Sequence, residues 1–450
     1  MGEMRMVDQQ TAKPVVRTEP AATGNPWQRF LLATELDVRL IGMIGALVLI
    51  WVGFHLLSSP THSFADGLFL TPRNLWNLSV QTSEVAVMAT GMVLIIVTRN
   101  IDLSVGSIVG FVGMIMGVLQ AEILPHYIGF GHPLMWVIAL AAGIALGALV
   151  GALQGAIIAF LEVPAFIVTL GGYLVWRGAA WWVASGRTIA PMDPTFQLMG
   201  GGALGSIGAT WSWVLCGAIC VAIALVVLSG RRQRRRFNFP LRPVWAEALL
   251  TAVGCAIAIG AVWVANSYPW PKGVAQAWAL AHNVTIPPEG LFISTGVAIP
   301  VLVALGAGIA VNFIANRTRF GRYVFAIGGN PEAAELAGIR TRWVLVRVFT
   351  LMGALTGISA AIGIARLNAA TNALGTQEEL YVIAAAVIGG TSFAGGIGTI
   401  VGAMIGAVVM QSLQSGMVLI GIESPMQSIV VGAVLVFAVW LDSVYRRRAK

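Results

Sequence analysis

Apolar runs of membrane-spanning length alternate with short polar breaks along the chain beyond its first 39 residues. A helix needs about 20 apolar residues to cross a bilayer, and twelve runs reach or approach that length. They cover 40–57, 80–97, 104–121, 134–160, 165–184, 211–229, 246–265, 293–315, 344–366, 380–393, 397–417 and 426–442. The pattern predicts an all-α integral membrane protein with about twelve transmembrane helices. Because the number is even, both chain ends are predicted on one side of the membrane.

The basic residues orient this arrangement. With the amino terminus inside, the inner loops and tails hold 22 of the 27 Lys and Arg residues and the outer loops hold three. Positive residues accumulate on the cytoplasmic side, so both termini are predicted to be cytoplasmic. The net charge of +8 then reflects orientation, and nucleic-acid binding is not expected. The predicted parts are a tail (1–39), a transmembrane domain (40–443) and a basic tail (444–450).

Two cytoplasmic loops stand out within the transmembrane domain. Residues 211–266 form a helix pair joined by an arginine-rich turn, whose simplest role is to anchor the chain on anionic lipid. The second loop, 316–343, contains a short polar island between strongly basic flanks. Asn330 is a favoured N-cap, Pro331 suits the first helical position, and Gly338 suits a left-handed stop. These signals predict a free-standing helix of about two turns.

That short helix is predicted to dock on another protein, because so few residues cannot hold a helix without a partner surface. Ala333, Ala334 and Leu336 are expected to give it a small apolar face. Glu332 lies near the positive helix end, and Glu335, one turn later, shares its face and can pair with basic groups of a partner. The alternative is a capped turn in a loop at the membrane surface.

Asp102 and Ser104 lie in a very short connection between the second and third predicted helices. Asp102 is most simply the N-cap of the third helix. A carboxylate this close to the membrane can also line a solute path, and Ser104 would accompany it there. Both interpretations remain open at the level of the sequence.

Further candidates for a translocation path lie toward the outer side. Glu84 and Glu379 are expected near helix ends, whereas Arg177 and Arg366 fall within helices.

A glycine-rich break is predicted after the tenth helix, because glycines let the backbone turn inside the membrane region; its members are Gly389, Gly390, Gly395 and Gly396. The run after it, 398–402, echoes 106–110, which suggests a possible internal repeat, with chance similarity as the alternative.

The energy source for transport is not evident in this chain. It has no glycine-rich phosphate loop, and its carboxylates are expected near helix ends, unlike those of an ion relay. Cys216, Cys220 and Cys255 give no metal-binding spacing, and no catalytic constellation is apparent. We therefore expect that this membrane protein is not itself an enzyme.

The runs 101–107, 162–172 and 328–339 resemble permease subunits of ATP-binding-cassette sugar importers. The helix pair at 211–266 is similar to that of xylose-type members. The resemblance implies a multi-pass protein of the bacterial plasma (inner) membrane, present as a homodimer or paired permease. It also implies that residues 330–338 form the helix that docks on a separate cytoplasmic ATPase.

The remaining expectations come from the same resemblance. A periplasmic or surface sugar-binding protein would deliver a monosaccharide, with D-xylose as the expected substrate. ATP and Mg would bind the partner ATPase, and no cofactor is expected on this chain. The alternatives are ribose, another sugar, a signal furanose, a nucleoside or a branched-chain amino acid, whose carboxylate Arg177 or Arg366 would hold. A secondary transporter or a membrane scaffold is more remote.

Overall fold

The computed structural model describes residues 25–61, 63–287 and 290–449, and its described residues form helices with only isolated β-bridges between loops. The all-α prediction is therefore confirmed. A π-helical turn (Leu119–Ile123) and a 3₁₀ turn (Leu198–Gly200) interrupt the series of α-helices. The helices are α1 (Pro26–Thr34), α2 (Val38–Leu57), α3 (Pro72–Val97), α4 (Val105–Val118), α5 (Leu124–Ile128), α6 (Met135–Phe160), α7 (Ala165–Ala184), α8 (Pro194–Gln197), α9 (Gly208–Arg236), α10 (Val244–Ser267), α11 (Lys272–Ala281), α12 (Ile299–Arg317), α13 (Arg319–Gly329), α14 (Pro331–Leu336), α15 (Thr341–Leu367), α16 (Glu378–Ile388), α17 (Ile400–Leu419) and α18 (Ser424–Ala449).

Among the described residues, nine helical stretches are long and apolar enough to cross a membrane, with α4, the π-turn and α5 counted as one. The structure is thus that of an integral membrane protein. Helix α7 begins and ends where the fifth predicted helix does. Helix α16, in contrast, has only 11 residues, and α18 has a shorter apolar part, Ser424–Trp440. The number of twelve crossings remains a prediction.

Helix α3 begins eight residues earlier than predicted. Pro72 occupies its first turn, and the Thr71 hydroxyl accepts the backbone N–H of Asn74 at 3.4 Å, so a capped start precedes the apolar run. Glu84 is therefore the thirteenth of 26 residues. The expectation that Glu84 lies near a helix end was wrong, because the polar first turns of α3 conceal its true start.

The inserted helix pair lies at the periphery of the fold. In their most apolar stretches, 94% of α3 and 78% of α15 are buried within the protein, against 6% of α9 and 11% of α10. Helices α3 and α15 therefore form the centre, and α9 and α10 present most of their apolar surface to the bilayer.

Helices α6 and α15 pack backbone to backbone. A Cβ atom on Gly147 or Gly151 would fall within 3.0 Å of a carbonyl oxygen of α15, that of Gly353 or Phe349 respectively. These glycines of α6 therefore form a surface on which the backbone of α15 packs closely. This contact fixes α15, which directly follows the short helix α14.

After α15 the chain turns back alongside α4. Ala370 lies against Gly117, the Leu374 carbonyl against Gly110, and Gly375 against Gly106, near the start of α4. Helix α16 then begins inside the helical body and, with 11 residues, is only about 16 Å long. The tenth predicted helix, 380–393, is thus a half-helix that ends at Ile388.

The two copies of the possible repeat differ in helix register. Gly106 is the second residue of α4, whereas Gly398 precedes α17, which starts at Ile400 behind its N-cap Thr399. The similarity of these two runs is therefore one of sequence more than of helix position.

Candidate coupling segment and buried polar clusters

The short helix predicted in the cytoplasmic loop is present as α14. Asn330 is its N-cap, and its Oδ1 accepts the Ala333 N–H at 3.0 Å, with Pro331 as the first helical residue. At the other end Gly338 has a φ of +83° and donates to the Glu335 carbonyl at 2.9 Å. The N–H of the next residue, Ile339, reaches the Ala334 carbonyl at 3.1 Å. These two bonds are those of a Schellman motif, so the predicted start and stop are confirmed.

The exposed side of α14 is mixed in character. Glu332, Ala333 and Glu335 are exposed, and Leu336 retains 90% of its side-chain accessibility. Ala334 is 5% exposed because it packs inward on its own subunit. The expectation that Ala334 belongs to the partner-facing surface is therefore not met. The outward face is formed by the protruding Leu336 together with the carboxylates of Glu332 and Glu335.

The sequence did not reveal α13, which directly precedes α14 and was interpreted only as a basic flank. The Thr318 hydroxyl caps it by accepting the Gly321 N–H at 3.2 Å. Val324 and Ile327 are buried, whereas Arg322 and Tyr323 are exposed. Helix α13 is therefore amphipathic, and together the two helices form one surface feature, which we call the α13–α14 segment (319–338).

The glycine-rich break lies directly against this segment. Gly389 packs on Gly402 of α17, and Gly390, Gly395 and Gly396 all have positive φ. The Gly396 N–H donates to the Val97 carbonyl at the end of α3, at 3.0 Å. A Cβ on Gly395 would meet the Arg99 side chain and the Gly328 carbonyl. The break thus joins α3 to the end of α13.

Glu84 belongs to a buried charge cluster inside the subunit. It is 3% exposed, and its Oε2 lies 3.5 Å from Nη2 of Arg366. The Glu378 carboxyl lies beside it. Oε1 of Glu84 and Oε2 of Glu378 are buried without a hydrogen-bond partner among the described residues. Glu378 was missed in the sequence because its neighbourhood is created by the chain turning back after α15.

A second pair of charges lies along one glycine face of α4, with Glu379 against Gly106 and Arg177 against Gly110. Nη1 of Arg177 donates to the backbone carbonyls of Asn372 (3.0 Å) and Leu374 (2.7 Å), and so fixes the segment that turns back. Glu379 is 7% exposed and lies against Gly106. Arg177 thus holds the segment before α16 next to α7, and Glu379 packs on the start of α4.

Asp102 and Ser104 form a third polar cluster with Gln154. The Ser104 hydroxyl donates to Asp102 Oδ1 at 2.6 Å and lies 3.0 Å from Gln154 Oε1. The N-cap position of α4 is Ser104, while Asp102 accepts the Ser104 N–H at 2.9 Å. The expectation that Asp102 is the N-cap was therefore wrong by two residues. Asp102 is 2% exposed, and it is Ser104 that links the start of α4 to α6, through Gln154.

Ion pairs between loops link helix ends that are predicted to lie on the same side of the membrane. Glu35, which follows α1, pairs with Arg234 (2.6 Å) and Arg242 (2.7 Å) of the helix-pair turn. Hydrogen bonds from Arg234 lower the pKa of Glu35 to about 2. Arg342 at the start of α15 pairs with Glu162 at 2.6 Å. These contacts agree with the predicted common side for the amino terminus, the arginine-rich turn and the α13–α14 segment.

A cavity of about 920 Å³ lies between α3, α10, α12 and α17. Its walls include Trp51, Trp76, Val264, Leu305 and Met404 and are almost wholly apolar. A sugar site requires convergent polar groups, so this cavity does not suit a monosaccharide.

The family described as branched-chain amino acid transport system / permease component matches residues 74–439. The chain belongs to this family and is a multi-pass inner-membrane permease. It is similar to the xylose transport system permease protein XylH of Escherichia coli (strain K12), 34% identical over 92% of this chain and 94% of that protein. The ribose import permease protein RbsC of the same strain is 32% identical over 83% and 87%. The galactose/methyl galactoside import permease protein MglC is 28% identical over 86% and 91%. No solved structure matches the chain.

Proposed function

We propose that this chain is the membrane-spanning subunit of an ATP-binding-cassette importer for D-xylose. It acts with a separate ATPase, which binds ATP and Mg, and with a sugar-binding protein on the outer side. The observation that carries the proposal is the α13–α14 segment. Its second helix, α14, is capped at both ends and has an outward leucine and two outward carboxylates. Such a helix is stabilised by a partner surface.

The substrate assignment rests on the relatives. The permease whose name states xylose matches 92% of this chain, and the ribose permease matches 83%. The peripheral helix pair α9–α10 agrees with the xylose-type resemblance of 211–266. A neutral sugar needs hydroxyl partners and no fixed countercharge.

A branched-chain amino acid is the second candidate, favoured by the description of the family. It requires a cation for the substrate carboxylate. Arg366 already faces Glu84 at 3.5 Å, and one Nη of Arg177 is engaged by two backbone carbonyls. These engagements favour the sugar.

The solute path is proposed to run between two copies of the subunit. Glu84, Asp102 and Glu379 are each at most 7% exposed within a single copy. Together with Ser104, Arg177 and Arg366 they hold the broken helices in place, and the path would be lined by the surfaces that two copies share.

The coupling role is tested by Glu332→Lys in the importer reconstituted with its ATPase and binding protein. The reversed charge stands beside the positive end of α14 and opposes basic groups on the partner. We expect ATPase co-purification, sugar-stimulated ATP hydrolysis and uptake to fall together by about ten-fold or more. Arg232→Glu, a charge reversal at an exposed arginine of the cytoplasmic helix-pair turn, is the matched control. Unchanged association and uptake in Glu332→Lys would refute the coupling role.

The substrate is tested in the same proteoliposomes by uptake of labelled D-xylose against excess ribose, galactose or leucine. Xylose uptake that resists the other three solutes supports the proposal. Strong competition by leucine would favour the amino acid, and strong competition by ribose would favour the other sugar class.

A further inference from the structure

Three backbone segments meet at one point at the edge of the helical core. They are the end of α3 at Val97, the end of α13 at Gly328, and the glycine break at Gly396. A Cβ on Gly328 would lie within 3.0 Å of both the Val97 carbonyl oxygen and the Gly396 nitrogen. No side chain fits between them, so any displacement of α13 is felt directly by α3 and by the break that precedes α17.

Arg99 closes this junction. Its Nε donates to the Gly328 carbonyl at 2.9 Å and its Nη2 to the Gly329 carbonyl at 2.7 Å. These are the last two carbonyls of α13, which have no partner within the helix. A guanidinium is suited to such a grip because its donors form a rigid fork. The aliphatic part of the same side chain lies against Gly395.

The backbone conformation at Arg99 indicates that this position requires the arginine side chain. Its φ is +64°, a conformation that glycine adopts more readily than any other residue. The favoured residue for such a turn would leave the carbonyls of α13 without a donor. Arginine at this position accepts the less favourable backbone and supplies two charge-assisted hydrogen bonds.

We infer that Arg99 is a positioning residue that transmits movement of the α13–α14 segment to α3 and to the glycine break. This inference rests on the proposed function, since it assumes that a partner ATPase moves the segment. Arg99 is exposed, and its two side-chain hydrogen bonds are made to carbonyls of its own subunit, on the α13 side of the N-cap of α14. Its loss should therefore weaken transmission and leave docking intact.

The test uses the complete importer with Arg99→Ala, Arg99→Lys and, as a matched control, Arg232→Ala, an exposed arginine in the helix-pair turn. For each variant one measures ATPase co-purification, the rate of ATP hydrolysis with sugar-loaded binding protein, and sugar imported per ATP hydrolysed. We expect Arg99→Ala to keep its ATPase and to lower sugar per ATP by about ten-fold, on the scale of one charge-assisted hydrogen bond at an exposed side chain. Arg99→Lys, with one flexible ammonium, should fall in between, and Arg232→Ala should match the unmodified importer.

A merely structural role would lower association, hydrolysis and uptake in proportion and leave sugar per ATP unchanged, which would overturn the inference. An unchanged ratio with full uptake in Arg99→Ala would overturn it as well. Failure of the coupling proposal itself appears elsewhere, as normal ATPase association in Glu332→Lys. The two failures are thus distinguishable in one set of preparations.

Discussion

The close contact between α6 and α15 predicts opposite effects for the same substitution at two helical glycines. An alanine Cβ at Gly151 would fall within 3.0 Å of the Phe349 carbonyl oxygen, whereas one at Gly171 of α7 has nothing within 4 Å. Both glycines lie inside helices, so both substitutions gain the same helix propensity of about 1 kcal/mol. The two variants therefore differ only in what the added methyl group meets.

At Gly151 the backbone of α15 cannot give way as a flexible side chain would. Overpacking of a close-packed interior costs about 1–3 kcal/mol, which offsets or exceeds the gain in propensity. We expect Gly151→Ala to be less stable than the unmodified subunit by up to about 2 kcal/mol. Gly171→Ala should be equal to it or slightly more stable, because its methyl group occupies open space.

The assay is the apparent midpoint of thermal unfolding of the purified subunit in one detergent at one heating rate. Both conditions are fixed because unfolding of such proteins is commonly irreversible, so that the midpoint reports a rate. A lowered midpoint for Gly151→Ala beside an unchanged or raised one for Gly171→Ala is expected. Equal shifts in the two variants would refute the argument that α6 and α15 pack backbone to backbone.

Two other predictions concern the cytoplasmic side. In a background without the native cysteines, Gln233→Cys should be labelled only from the cytoplasm and Gly273→Cys only from outside. Labelling of Gln233→Cys in intact cells by an impermeant reagent would contradict the predicted orientation. Because Arg234 lowers the pKa of Glu35 to about 2 from an ordinary 4.5, the stability contributed by this pair is complete above about pH 4.5 and is lost as the pH falls toward 2. The difference in unfolding midpoint between the unmodified subunit and Glu35→Gln should accordingly be constant above pH 4.5 and close below it, and a difference that persists at pH 2 would argue against this ion pair.

The features that the sequence predicted well are those decided by a few neighbouring residues. The caps of α14 follow from Asn330, Pro331 and Gly338, whose chemistry is local. The bounds of α7 follow from a proline before an apolar run, and the glycine-rich break after α16 follows from its own composition. Each needs no knowledge of what packs against it.

The features that were missed depend on contacts between distant parts of the chain. Arg99 and Gly328 are far apart in sequence, as are Ser104 and Gln154, and no periodic pattern announces either pair. The burial of Ala334 depends on where α14 lies on its own subunit. Only the starts of α3 and α13 could have been recognised locally, from the capping residues Thr71 and Thr318. At α3 the polar residues in the turns after Thr71 obscured the start of the helix.

The buried carboxylates change the basis on which ATP is preferred to an ion gradient. From the sequence no carboxylate was expected in mid-helix, yet Glu84 lies at the middle of α3 with Glu378 beside it. Glu84 faces Arg366 at 3.5 Å, and the Glu378 carboxyl of α16 lies beside Glu84, so this cluster connects the half-helix α16 to α3 within one subunit. The preference for ATP therefore rests on two positive features. The first is membership of the permease family. The second is the α13–α14 segment: its outward leucine and carboxylates fit a partner, and Arg99 connects its carbonyls to the helical core.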